Sequence, residues 1–233
     1  MRKWTVRMLL LLACLSLTGT MGTGQNLRLE RIVPLATVQE FSASAYECLY
    51  VGGKIALDGN LDDWVGLPVM DLRDVKYVTS DSNQYPETWG GPSDLSTKFW
   101  LGWDESGLYF AAQVADDIHH APASYGRYWD GDSICLGVDP KHNASPNEES
   151  AEDDREYYFG ISAEGLPEIV DPGEDAPYEA GKVAGRLLTG DKPGYIIEGW
   201  IPWAGLEPLR PPASEACGFA ILANDSDGSG QEG

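Results

Sequence analysis

A short acidic loop that carries an indole holds the residues best suited to chemistry. Trp129 is followed by the carboxylates of Asp130 and Asp132, and the segment Ile134–Val138 comes directly afterwards. Apolar side chains occupy every second position of that segment, a period typical of a strand with one packed face and one open face. A tryptophan beside an open strand face can stack against a flat apolar surface, such as one face of a sugar ring. The loop therefore predicts recognition of a ligand rather than catalysis.

Tyr158 and Glu198 are polar side chains within segments that otherwise alternate like strands. Tyr158 falls on the opposite side of its segment from Tyr157 and Phe159, so it is either a binding-face aromatic or a solvent-facing tyrosine. Glu198 lies within the apolar run Tyr195–Ile201, and a carboxylate in mid-strand needs a partner. A structural salt bridge and a contact to a ligand both satisfy that need, and the sequence leaves both open.

Acid-rich turns offer a second kind of site. The turns at 58–63, 116–117 and 224–227 carry oxygen ligands of the kind that Ca²⁺ takes from flexible loops. None has the spacing of an EF-hand loop, and solvated turns without an ion are the alternative. The first residues to test as ligands are Asn224, Asp225 and Asp227. No cofactor is predicted to be required, and Ca²⁺ is the one ion the turns could hold.

Charge and motif content argue against several classes of function. The chain has 37 acidic and 16 basic residues and a formal net charge of −21. Such a surface repels phosphate backbones, so we expect no nucleic-acid partner. No nucleophile elbow, phosphate loop or zinc-protease motif is present, and with so many acids a carboxylate pair carries little information. We expect a domain that is not an enzyme.

The N-terminus predicts export. A basic start is followed by a short apolar run and small residues, which reads as a signal peptide over residues 1–24. The run is too short to span a bilayer, and no transmembrane segment is expected elsewhere. In a second reading the segment Leu11–Cys14 is a lipoprotein box that lipidates Cys14. Either reading predicts a secreted, periplasmic or cell-surface protein.

The rest of the chain predicts an all-β fold. Residues 25–51 read as a linker or a loosely packed N-terminal segment, and short alternating segments separated by turn residues follow from residue 52. The clearest pair is Lys98–Trp103 and Leu108–Val114, joined by a turn at 104–107. Further strands are expected at Ile134–Val138, Glu156–Ile161, Tyr195–Ile201 and Gly218–Ala223. This spacing is typical of an antiparallel β-sandwich.

Several segments, in this order, resemble carbohydrate-binding module family 9 and the wider DOMON-like superfamily. They are Ile55–Trp64, Trp103–Asp117, Trp129–Ile134, Gly194–Trp203 and Gly218–Asp227. The third is similar to the family's Trp-Glu-x-Asp-Ser-Val motif, and the fourth to its Gly-Tyr-x-x-Glu-x-x-Ile-Pro-Trp run. The last matches a Gly-Phe-x-x-x-x-Asn-Asp-x-Asp segment. The resemblance covers about residues 52–233, which we take as one domain.

The resemblance implies a β-sandwich that binds sugars and is often appended to secreted polysaccharide-degrading enzymes. In such modules two tryptophans enclose a terminal sugar and polar side chains hold its hydroxyls, and Trp129 would be the first tryptophan. Cys135 stands where the family's sugar binders carry a glutamate, and Tyr158 where they carry an arginine. The second tryptophan would follow the Asn-Asp-x-Asp segment beyond Gly233, so we expect a domain incomplete at its C-terminus.

The prediction is therefore an exported, non-catalytic carbohydrate-binding domain. Its sugar-binding residues are expected to be Trp129, Tyr158, Glu198 and Asn224, and its metal ligands Asp225 and Asp227. One alternative is a structural or adhesion module of a cell-surface protein that binds no sugar. A second is a haem-binding DOMON-like domain, for which Met70 and His119 are the only hints and no Cys-x-x-Cys-His segment exists.

Overall fold

A computed structural model describes part of the chain, and every structural statement below concerns that part. The described residues are 15–16, 26–29, 46–73, 89–143, 152–171, 173–211 and 217–227. Cys14 and the predicted cleavage position before Gln25 lie outside them. Export and lipidation therefore stay predictions.

The described residues are built almost entirely from β-strands. The strands are β1 (Leu15–Ser16), β2 (Asn26–Leu29), β3 (Glu47–Tyr50), β4 (Met70–Asp71), β5 (Leu95–Trp103), β6 (Gly107–Asp116), β7 (Ser133–Asp139), β8 (Arg155–Ile161), β9 (Pro167–Asp171), β10 (Ala176–Pro177), β11 (Lys182–Leu188), β12 (Gly194–Pro202) and β13 (Gly218–Asn224). Short 3-10 turns occur at Asp62–Trp64, Tyr125–Asp130 and Trp203–Leu206. Among the described residues, no helix has the length and apolar character needed to cross a membrane.

The strands form two sheets. The larger has eight strands in the order β1-β2-β3-β5-β6-β12-β11, with β4 also paired to β5. The smaller has five strands in the order β10-β9-β8-β7-β13. Only β3 and β5 run parallel among the described pairs; the other neighbours are antiparallel. The predicted antiparallel β-sandwich is confirmed.

The core lies between the sheets and follows the strand alternation. Phe110 of β6 meets Phe159 of β8 across the interface, with ring centroids 4.0 Å apart. Gly199 makes room for this pair, because a Cβ there would lie 1.9 Å from the Phe110 ring. The inward residues of the central strands are buried in the same cluster: Phe99, Leu101, Ile134, Leu136, Val138, Tyr157, Ile161, Tyr195 and Ile197. Every second residue is therefore left to one of two outer faces.

The predicted strands are found in the structure, each lengthened by one to three residues at one or both ends. The strands β1, β4, β9, β10 and β11 were not predicted. Most of β11 is half-buried or exposed, because it is the edge of the larger sheet, and its sequence has no clear apolar face. The segment at 25–51 supplies β2 and β3, and β3 pairs with β5.

Candidate functional site

Trp129 lies against the outer face of the smaller sheet. It belongs to the 3-10 turn Tyr125–Asp130 that precedes β7, and its side chain is half-buried. Its ring meets that of Tyr158 with a centroid distance of 6.1 Å and an angle of 54° between the planes. The structure therefore brings together these two predicted residues, which are distant in sequence.

Strand register explains why Tyr158 faces outward. It pairs with Cys135 of β7, and both side chains point away from the core between the sheets. Tyr128, Cys135, Tyr158 and Val170 form a separate buried cluster, and Tyr158 is only 5% exposed. Tyr158 therefore supports the half-buried Trp129 from below more than it faces solvent itself.

A carboxylate lies on the same face, two residues before Tyr158. Glu156 is half-buried, and its Oε1 accepts a hydrogen bond from the Cys135 thiol, with a sulfur–oxygen distance of 3.3 Å. Burial raises the pKa of Tyr158, and the neighbouring Cys135 and Glu156 raise it further. Burial likewise raises the pKa of Cys135, with Glu156 adding to it. The phenol and the thiol are thus protonated donors at neutral pH.

Buried polar contacts hold the loop that carries Trp129. Asp132 Oδ2 lies 3.1 Å from His119 Nδ1, and Asp132 Oδ1 accepts the Ser226 amide at 2.9 Å. Burial opposes the charge on His119, but the carboxylates of Asp116 and Asp132 outweigh it and raise the pKa to about 9. The other ring nitrogen, Nε2, lies 3.2 Å from the Ile161 carbonyl oxygen. Nδ1 therefore faces two carboxylates and Nε2 a carbonyl oxygen, which does not support a haem ligand.

Asn224 lies at the foot of the same loop but inside the protein. It is 1% exposed, and its Nδ2 donates to Ser133 Oγ at 3.0 Å. The Ser133 hydroxyl in turn donates to the Tyr128 carbonyl oxygen at 3.0 Å. These contacts tie the end of β13 to the Trp129 turn. A direct contact between Asn224 and a sugar stays a prediction.

Glu198 lies on the outer face of the larger sheet, away from Trp129. It is fully buried, and its Oε1 accepts the Trp64 indole N–H at 2.8 Å. Its Oε2 accepts the amides of Gly59 at 2.6 Å and Asp58 at 3.2 Å. Burial raises the pKa of Glu198, and these donors counteract it. The contacts support the structural reading, with hydrogen bonds instead of a salt bridge, and give no support to a sugar contact.

An acidic cluster lies where ends of both sheets meet. Asp94 before β5, Asp117 after β6 and Asp227 after β13 bring carboxylate oxygens within 4.8 Å of one another. Asp225 is 5% exposed, and its pKa is raised to about 8 by burial and by neighbouring carboxylates, Asp132 first among them. Oxygen ligands from flexible turns suit Ca²⁺. The predicted Asp227 thus belongs to the cluster, while Asp225 lies buried beside it.

Comparison with known proteins identifies the family. The family model described as carbohydrate family 9 binding domain-like matches residues 73–233. The chain belongs to this family. A curated relative is endo-1,4-beta-xylanase C of Paenibacillus barcinonensis, 34% identical over 140 residues, which are 60% of this chain. The match spans only 11% of that enzyme's length.

Solved family 9 modules have the same fold. A carbohydrate binding module family 9 from Caldicellulosiruptor kristjanssonii in complex with cellotriose has a TM-score of 0.54 and 20% identity, with 77% of each chain covered. A module of the same family and organism in complex with glucose has a TM-score of 0.53 and 18% identity, covering 79% of this chain and 81% of that one. Both structures support the β-sandwich.

Family 9 modules bind carbohydrate without catalysing a reaction, which confirms the expectation that this domain is not an enzyme. Two residues near these candidate sites, Glu156 and Asp94, were not predicted from the sequence. Glu156 lies two residues before Tyr158 in the same predicted strand, so the strand period places both side chains on one face. Asp94 directly precedes the residue that pairs with Asp116, so only the correct register of β5 and β6 brings it near Asp117.

Proposed function

We propose that this family 9 domain is exported and binds a β-linked glucan or xylan chain through the surface at Trp129. The observation that carries the proposal is the half-buried indole of Trp129, supported by Tyr158 on the outer face of the smaller sheet. Aromatic faces stack on the apolar faces of sugar rings, and hydroxyls need polar partners at the edge of such a surface.

The ligand class follows from the relatives. Modules with the same fold are known with cellotriose and with glucose, and a relative in sequence is named a xylanase. These ligands are uncharged sugars with equatorial hydroxyls. The net charge of −21 is compatible with neutral chains and opposes binding of anionic ones.

The proposal is tested by calorimetric titration with glucose, cellotriose and xylotriose. Trp129→Ala should weaken binding about tenfold or more, because it removes the aromatic contact. The matched control is Trp200→Ala, which changes a half-buried tryptophan on the outer face of the other sheet, where Lys182 Nζ lies 4.9 Å from its ring centroid. This control should bind like the wild type.

A folded wild type that binds none of these sugars, nor others in a broad glycan panel, would overturn the proposal. The result would favour the structural or adhesion module instead. The burial of Tyr158, Asn224 and Glu198 is the observation that keeps this second function in view. A thermal melt of each protein shows whether the sample is folded.

Export is part of the proposal and rests on the sequence alone. Cleavage before Gln25 would release a soluble module, whereas lipidation of Cys14 would hold it at a membrane surface. Mass spectrometry of the protein recovered from its producing cells distinguishes a new N-terminus at Gln25 from a lipidated Cys14. An uncleaved Met1 in the exported fraction would contradict both.

We also propose a Ca²⁺ ion at Asp94, Asp117 and Asp227. The three carboxylates fit a hard cation, which would neutralise their mutual repulsion and connect turns from both sheets. The ion would have a structural role, because it would fix the turn of Asp227, whose neighbour Ser226 donates to Asp132 in the loop that carries Trp129.

A further inference from the structure

We propose that Glu156 determines which sugars the Trp129 surface accepts, by taking hydrogen bonds from sugar hydroxyls and repelling uronic acids. This inference rests on the proposed function and adds a residue and a ligand class to it. The contacts below concern only residues that the structure describes.

Glu156 lies on β8, on the same face as Tyr158 and two residues farther along the strand from the Trp129 turn. A ring stacked on Trp129 and extending along β8 would pass over Tyr158 and reach Glu156. The carboxylate is half-buried, so its oxygens lie at the edge of the surface that remains open to solvent.

The residues beside the carboxylate are small. Glu156 pairs with Gly137 of β7, which in turn pairs with Ala220 of β13. Among the described residues, a Cβ built on Gly137 would come within 4 Å of Ala220 alone, at 3.3 Å from its Cβ. Gly137 is itself buried and Ala220 is half-buried, so these two positions place no large side chain beside Glu156.

A neighbouring thiol orients the carboxylate. Glu156 Oε1 accepts a hydrogen bond from Cys135 Sγ at 3.3 Å, and the Tyr158 phenol lies near the same carboxylate. Because Cys135 and Tyr158 are each 5% exposed, these contacts hold the carboxylate against the sheet instead of leaving it free in solvent. A carboxylate fixed in this way can accept bidentate hydrogen bonds from neighbouring hydroxyls with little loss of side-chain entropy.

Glu156 has no cationic partner among the described residues, since no lysine or arginine there forms an ion pair with it. Arg155, its neighbour in sequence, donates from Nη1 to the carbonyl oxygens of Glu152 and Asp154. Arg127 at the Trp129 turn is paired with Asp130. Within the described part of the chain, no cation therefore neutralises the carboxylate of Glu156. Its negative charge disfavours an anionic sugar, whereas its oxygens can accept hydrogen bonds from a neutral one.

The experiment compares glucose with glucuronic acid, each as its methyl β-glycoside, by calorimetric titration. The wild type should bind the glucoside and prefer it over the glucuronide by about tenfold or more. Glu156→Gln should lower the affinity for the glucoside about tenfold and reduce that preference, because the variant keeps the shape but loses the charge. Glu156→Asp should keep the preference while losing affinity.

The matched control is Glu105→Gln. Glu105 lies in the turn between β5 and β6 of the larger sheet and accepts a hydrogen bond from the Tyr50 hydroxyl, so its loss should change neither affinity nor preference. Unchanged affinity and preference in Glu156→Gln, with binding still lost in Trp129→Ala, would overturn the role of Glu156 and leave the proposed function standing. A folded wild type that binds neither glycoside nor the oligosaccharides would overturn both.

Discussion

The outer faces of the two sheets carry similar residues but differ in what covers them. On the larger sheet, the chain at 51–67 folds back over the strands and buries Trp64 against Ala111, Val51 and Ile55. On the smaller sheet, the turn at Tyr125–Asp130 lies over the buried cluster of Tyr128, Cys135, Tyr158 and Val170 and leaves Trp129 half-buried. Among the described residues, Trp64 is thus closed in by the chain, whereas Trp129 stays partly open to solvent.

Each outer face carries a tryptophan and a carboxylate, and the two carboxylates differ in their surroundings. Glu198 is fully buried and accepts three hydrogen bonds from the covering segment. Glu156 is half-buried, accepts a hydrogen bond from the Cys135 thiol and lies near the Tyr158 phenol. A carboxylate whose oxygens are taken up by buried donors stabilises the fold, whereas a half-buried carboxylate can accept further hydrogen bonds from a ligand.

The largest expected effect on stability comes from removing the carboxylate of Glu198 beside the buried Trp64. Glu198→Ala removes the acceptor for the Trp64 indole and for two backbone amides, so we expect a loss of about 3 kcal/mol in the free energy of unfolding. Urea denaturation monitored by tryptophan fluorescence measures it. The folded variant should still bind sugar like the wild type. Unchanged stability, or a selective loss of sugar binding, would return Glu198 to the binding site.

The same comparison shows how far the sequence could predict this molecule. Alternation in β7 and β8 was sufficient to place Tyr158 outside the core and Tyr157 inside it. The partner of Glu198 could not be predicted in this way, because Trp64 precedes it by 134 residues and meets it only when the chain folds over the sheet. Local periodicity reports which side a residue faces, but it does not report what covers that side.

The second-largest effect on stability is expected at the acidic cluster of Asp94, Asp117 and Asp227. If Ca²⁺ binds Asp94, Asp117 and Asp227, adding it at about a hundredfold excess over its Kd should stabilise the fold by about 2.7 kcal/mol. Thermal melts with Ca²⁺ and with a chelator measure the shift. Asp227→Asn should abolish it, whereas Asp191→Asn, an exposed turn acid elsewhere, should not. Identical melts with ion and chelator would rule out the site.

The smallest effect on stability is expected from removing the half-buried side chain of Trp129. Trp129→Ala removes a half-buried indole and its contact with Tyr158, which should cost about 1 kcal/mol of unfolding free energy. The same change should abolish the rise in melting temperature that cellotriose gives the wild type, because only a bound ligand stabilises the folded state. Glu198→Ala should behave in the opposite way, with a large intrinsic loss and a normal response to cellotriose. A loss of stability in Trp129→Ala as large as that in Glu198→Ala would mean that Trp129 is built into the fold just as Trp64 is, and the distinction between the closed Trp64 and the partly open Trp129 would fail.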